Sequence, residues 1–78
     1  MMNVITLWVE ELEAVRLVDY EGLEHEDAAM RMGVSRKTLW NELKSARKKI
    51  ATALIHGYGI RIEGGNYILR GGMENMRR

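Results

Sequence analysis

Cysteine, proline and phenylalanine are all absent from the 78 residues. Without cysteine there is no disulfide and no thiolate metal site to staple so short a chain. Long apolar runs are missing too, and uninterrupted stretches reach only a few residues, so no segment is expected to span a membrane. With no secretion signal either, a soluble cytoplasmic protein is expected. An excess of one charge is also lacking, since 12 Lys and Arg against 11 Asp and Glu leave +1. What is present is 46% hydrophobic residues, 29% charged ones and 8 glycines. A chain of this length has room for one core, and one core so small calls for tight helix packing or self-association.

The balanced total hides a split. Residues 1–30 carry eight acidic side chains and only Arg16 opposing them, a net of −7. Residues 31–50 carry seven basic side chains (Arg31, Arg36, Lys37, Lys44, Arg47, Lys48, Lys49) against Glu42, a net of +6. Local field decides which surface meets a polyanion, so the basic segment points to nucleic acid and the acidic half turns the other faces away from it. A run of Lys and Arg is most often just a solvated helix face. Its place in the chain is what raises its meaning here.

The spacing of Trp8, Leu12, Ala14, Val15 and Val18 predicts a helix over 7–20, with Thr6 as N-cap and Gly22 as its stop. A second helix is expected from Glu24 or His25 to Met32, with Ala28, Ala29 and Met32 inward and Gly33 at its C-terminal end. Ser35 then caps a third helix running to about His56, with Leu39, Leu43, Ala46, Ile50 and Ala53 or Leu54 inward. Its roughly 21 residues would span about 31 Å. Gly57 and Gly59 end it. In 60–70, Ile60, Ile62, Tyr67 and Leu69 alternate with polar residues about a Gly64-Gly65 turn, which predicts a β-hairpin with those four on one face. Such a ribbon is marginal alone. It packs on its own helices, pairs with a second copy, or stands out as a wing bringing Arg61 and Arg70 to DNA. The expected fold is therefore mainly α: a three-helix domain over 7–56, a hairpin extension over 57–70 and a flexible tail over 71–78.

Two helices joined by Gly33-Val34-Ser35, with paired small residues before the glycine, an apolar plug and a basic outer face after it, make a helix-turn-helix pattern. In that arrangement the second helix enters the major groove. The segment about 35–47 is then the recognition helix. Arg36 suits a guanine and Asn41 an adenine, each contact worth roughly 1–3 kcal/mol of discrimination. Lys37 and Lys44 suit phosphates, with the Ser35 and Thr38 hydroxyls as neutral partners. Arg47, Lys48 and Lys49 lie where the helix leaves the groove, and are expected to touch phosphates at most. Trp40 either stacks on a sugar or thymine methyl or packs against the first helix.

GVSRKTLWNELKSARKKIATAL resembles region 4 of bacterial sigma factors. The longer stretch from Leu7 to Tyr67 is similar to a family of short proteins catalogued as domain of unknown function 134. The resemblance implies a sigma-region-4-like helix-turn-helix and DNA binding, with no assigned target. Members commonly carry an N-terminal extension with cysteines, so no metal or redox role of that extension transfers to this sequence. Trp8 and His25 depart from the Thr or Ser and the Ser- or Gln-type residues usual at those places.

No enzyme is expected. Glu10, Glu11 and Glu13 form a carboxylate cluster on a helix expected to be solvated, with no nucleophile or phosphate loop beside them. The C-terminal glycines precede no helix that would hold a nucleotide. His25 and His56 have no ligand-spaced His or Cys partner, so neither metal nor cofactor is expected. The function expected is a sequence-specific double-stranded DNA-binding regulator acting as a homodimer, because one such unit touches few phosphates. The competing class is an interaction adaptor that docks on RNA polymerase or an anti-sigma-like partner through its acidic first helix.

Overall fold

A computed structural model describes residues 3–64 of the chain. Strand β1 (Val4–Trp8) leads directly into helix α1 (Val9–Val15), which continues through a π-helical turn over Arg16–Tyr20. Helix α2 (His25–Met32), helix α3 (Arg36–His56) and strand β2 (Gly59–Glu63) follow. The mainly α architecture with three helices is as expected. The start of the chain is not.

Residues expected to open the first helix are extended instead. β1 pairs in parallel with β2, in a register that sets Val4 against Gly59, Thr6 against Arg61 and Trp8 against Glu63. The Gly59 N–H extends this ladder by donating to the Asn3 carbonyl at 2.9 Å. Val4, Ile5 and Thr6 are β-branched and suit a pleated strand. Their partner is more than fifty residues away, so local periodicity carries no trace of it. Thr6 is therefore a strand residue and not a cap, and the helix begins two residues later than expected. Trp8 is the N-cap, its extended backbone (φ −78°, ψ 153°) turning the chain into α1. Its side chain is 44% exposed and does not join the inner arc. The packed unit accordingly begins before residue 7.

In the expected hairpin, Ile60 and Ile62 were to pair with Leu69 and Tyr67. The latter two lie outside the described residues. Among those described, the neighbour of β2 is β1. Gly59 opens that strand, and Gly57 alone ends α3, at φ 72°.

The core lies where the three helices meet. Ala14, Leu17, Ala28, Ala29, Leu39 and Leu43 are buried together, with Val15, Val18, Leu23, Met32 and Val34 packed around them. Three alanines in that set leave only Leu17, Leu39 and Leu43 as large, fully buried side chains. Each contributes roughly 1.5–3 kcal/mol. Small facing residues let the helices approach closely, which is how a chain without phenylalanine closes its centre. Along α3 the inward side chain near its end is Ala53, while Leu54 points to solvent. The first helix closes with a π turn, in which the Glu21 N–H donates to the Arg16 carbonyl at 2.9 Å.

One of the three carboxylates expected to be solvated is instead buried. Glu11 is 4% exposed. It accepts from the Trp8 N–H at 2.8 Å, from the Ser45 hydroxyl, and from Lys49 Nζ at 2.9 Å. Lys49 Nζ also donates to the Thr6 carbonyl at 2.9 Å. Strand β1, the first turn of α1 and the middle of α3 are thus bolted together at one carboxylate. Burial alone would push its carboxyl up, but the bonds from Ser45 and Trp8 and the ammonium of Lys49 outweigh it and hold the group below its ordinary range. No helix of the described residues is long and apolar enough to cross a membrane.

Candidate nucleic-acid interface

The junction of α2 and α3 is built by two local devices. Gly33 adopts the left-handed conformation (φ 71°). Its N–H donates to Met30 O at 3.1 Å, and the Val34 N–H donates to Ala29 O at 3.0 Å. This pair of bonds is the Schellman closure, and its apolar companion is Val34, packed against the core. Ser35 follows in extended geometry, and its Oγ accepts from the Thr38 N–H at 3.0 Å, capping α3. Ala28 (0% exposed) and Ala29 (3%) form the floor on which buried Leu39 and Leu43 of α3 rest. The three-residue turn thus sets the direction of α3 and decides which of its side chains face outward.

With Leu39, Leu43 and Ala46 buried, helical spacing puts Lys37, Asn41, Lys44 and Lys48 in one outward row, with Arg36 and Trp40 along one flank. All six are exposed. The Ser35 and Thr38 hydroxyls, bonded to each other at 3.1 Å, lie exposed at the head of the row. Among the described residues no ion pair engages Arg36, Lys37, Lys44 or Lys48. Arg31, in the last turn of α2, is likewise exposed and without a salt bridge.

Two of the seven basic residues of 31–50 are committed inside the molecule. Arg47 forms a two-pronged pair with Asp19, at 3.1 Å from Nε and 2.7 Å from the terminal nitrogen. The bond from Arg47 draws the Asp19 carboxyl below its ordinary value. Lys49 belongs to the Glu11 network. The expected phosphate contacts at these two positions therefore compete with bonds already made. Neither partner was legible in the sequence, because Asp19 is 28 residues from Arg47 and Glu11 is 38 from Lys49.

Trp40 is 41% exposed, and the ring of His25 stacks on it with centroids 5.8 Å apart and planes 25° apart. His25 is the first residue of α2, so the stack braces the start of one helix against the exposed flank of the next. Sequence reasoning placed His25 near a cap and missed this role. His56 ends α3 as expected and stacks on Tyr58, at 5.1 Å. Among the described residues no group of His, Asp and Glu is arranged to hold a metal ion.

Comparison with known proteins adds a family but no activity. Residues 2–70 match the family described as "Protein of unknown function DUF134". A UPF0251 protein of Methanosarcina acetivorans is 61% identical over 67 residues, covering 86% of this chain and 60% of the relative. One from Moorella thermoacetica is 58% identical over 74 residues, covering 95% of the chain and 50% of the relative. The chain spans about half the length of the curated relatives it matches. No solved structure gives a significant match.

Proposed function

The chain belongs to the DUF134 family of proteins of unknown function, and on that premise we propose that it is a sequence-specific double-stranded DNA-binding protein, a transcriptional regulator. In this reading α2 and α3 are a helix-turn-helix, and residues 35–47 of α3 enter the major groove. The observation that carries it is the outward row on α3. Exposed Arg36, Lys37, Lys44 and Lys48, with no ion pair among the described residues, flank Asn41 on a helix whose angle is set by the Gly33 turn and the Ser35 cap.

Each residue has a chemical role there. The Arg36 guanidinium offers two parallel donors to a guanine edge, and the Asn41 amide offers a donor and an acceptor to adenine. Lys37, Lys44 and Lys48 neutralise phosphates, while Ser35 and Thr38 supply neutral contacts at the helix start. Trp40, braced by His25, offers a flat apolar edge to a sugar or a thymine methyl. Arg47 sits at the margin, held by Asp19. One such unit touches few phosphates, so the functional form in this reading is a homodimer.

Labelled duplex DNA, from random and genomic pools, titrated across a salt series tests the reading. Four cations per chain correspond to a log–log slope of roughly −3.6 per bound chain, and about twice that for a pair. Arg36→Ala should relax the selected sequence. Lys44→Ala should weaken all sequences alike and flatten the slope. Absence of binding to either pool at low salt would sink the proposal.

A protein partner is the second reading, favoured by a different face. Tyr20 is 84% and Met30 72% exposed. Met30 lines an open groove of about 420 Å³ with Leu23, Asp27 and Arg31. That groove carries one acid and one base, Asp27 and Arg31, beside exposed Glu24 and Glu26, and in this second reading it meets a subunit of RNA polymerase or an anti-sigma-like protein.

A further inference from the structure

We infer that the distal end of α3, together with β2 beside it, is a docking surface for a second copy of this chain.

The outward row of α3 changes character along its length. After Lys37, Lys44 and Lys48, the same face continues as Ala51 and Ile55, with Leu54 next to them. Leu54 is 76% and Ile55 78% exposed. A single exposed leucine needs no explanation. Here, however, the exposed pair sits within 50–60, the longest stretch of the sequence with no Asp, Glu, Lys or Arg. The next longest is 1–9. The fold brings residues 3–5 of the second stretch against the end of the first, because Val4 and Ile5 pair with Gly59 and Ile60 and the Gly59 N–H donates to the Asn3 carbonyl. In a chain that is 29% charged, this end carries few charges: 50–60 holds only His56 and Tyr58 as ionisable side chains, and Arg61 and Glu63 further along β2 pair with each other at 3.3 Å. Exposed Ile60 belongs to the same end.

That charge pattern selects the occupant. In a two-fold dimer each patch meets its own copy, so any net charge on it faces like charge. A surface whose one Arg and one Glu neutralise each other and which carries aliphatic side chains suits that meeting. A nucleic acid or a strongly charged protein would find its complement elsewhere on this molecule. The exposed parts of Leu54, Ile55 and Ile60 amount to on the order of 300 Å² of apolar surface. That is the apolar centre of an interface in which each partner buries about 800 Å², the remainder being a polar rim.

The location also leaves the reading segment free. From the middle of the Lys37–Lys44 segment to Leu54 and Ile55 is about 14 residues, or roughly 21 Å along the helix. Two α3 helices meeting at an angle near their C-terminal ends bring their N-terminal halves into the range of 34–36 Å that separates successive major grooves on one side of DNA. This spacing, and an inverted-repeat site one helical turn between half-site centres, rests on the DNA-binding proposal. The association itself does not.

Sedimentation equilibrium on the full chain, from micromolar to sub-millimolar, is the test. The wild type should reach twice the chain mass, while Leu54→Glu and the double variant Leu54→Glu/Ile55→Glu stay at the chain mass. Helical circular dichroism of the variants should match the wild type, since both side chains are exposed, and their Tm should match that of the wild type at concentrations where it is monomeric. A wild type that remains at the chain mass throughout overturns the inference, and so does a folded double variant that retains the dimer mass. On DNA carrying two half-sites, the monomeric variants should lose affinity on the order of 100-fold while binding one half-site like the wild type. If no chain binds DNA while the masses behave as stated, the DNA reading alone fails.

Discussion

Glu11→Gln tests the joint that holds the sheet to the helices. The wild-type carboxylate is buried and serves three donors: the Trp8 N–H, the Ser45 hydroxyl and Lys49 Nζ. Glutamine keeps the size and one acceptor oxygen but removes the charge, and its amide N–H₂ faces groups that also donate. A hydrogen bond to a charged group contributes about 1.5–3 kcal/mol, and three sharing one carboxylate do not add. Lys49 remains 28% exposed, so water compensates part of its loss. The net expectation is about 2–3 kcal/mol, at the low end of what breaking a buried pair costs. For a domain of this size, that corresponds to a fall in Tm of roughly 10–20 °C. The effect carries a pH signature. The Glu11 carboxyl is held below its ordinary value of 4.5, so its stabilisation is complete above that value and is lost as the pH falls through the depressed one. Thermal melts followed by circular dichroism at neutral and acidic pH should therefore show a gap between wild type and variant that closes on acidification. A neutral-pH difference under about 2 °C, or a gap independent of pH, would refute the assignment of Glu11 as the joint.

Three further outcomes follow from the same geometry. Arg47→Ala should cost no more than about 1 kcal/mol of stability, because its pair with Asp19 is exposed; DNA titrations should show it weakening binding less than Lys44→Ala does. Ser35→Ala removes the acceptor for the Thr38 N–H and should lower stability by about 1 kcal/mol in urea unfolding. Glu42→Gln should act in the opposite sense. Burial, then the charges of Glu11 and Glu10, raise the Glu42 carboxyl against the relief from Lys49. Its penalty is absent below the ordinary carboxylate range and grows as the pH rises through the raised value, so the variant should gain about 0.5 kcal/mol at neutral pH and nothing in acid.

The helices around the candidate interface were legible because their signals are local. Gly33 and Gly57 stop α2 and α3 with left-handed residues, Ser35 starts α3 with its hydroxyl, and Leu39, Leu43 and Ala46 keep helical spacing. Each device acts within one or two turns, so the residues alone specify it, and with it the exposed row from Arg36 to Lys48. What tertiary structure decided lies at greater separation. Val4–Trp8 carries a helical continuation and β-branched residues at once, and the distant strand Gly59–Glu63 resolves the conflict by giving its backbone a ladder to join. Glu11 reads as one solvated carboxylate among three until Ser45 and Lys49 arrive from another helix to satisfy it. Arg47 and Lys49 read as two more cations in a basic run until Asp19 and Glu11 claim them. Sequence order specifies which groups are available. Which of them neutralise one another depends on where the packed helices place them, because ion pairs and strand pairs form between neighbours in space.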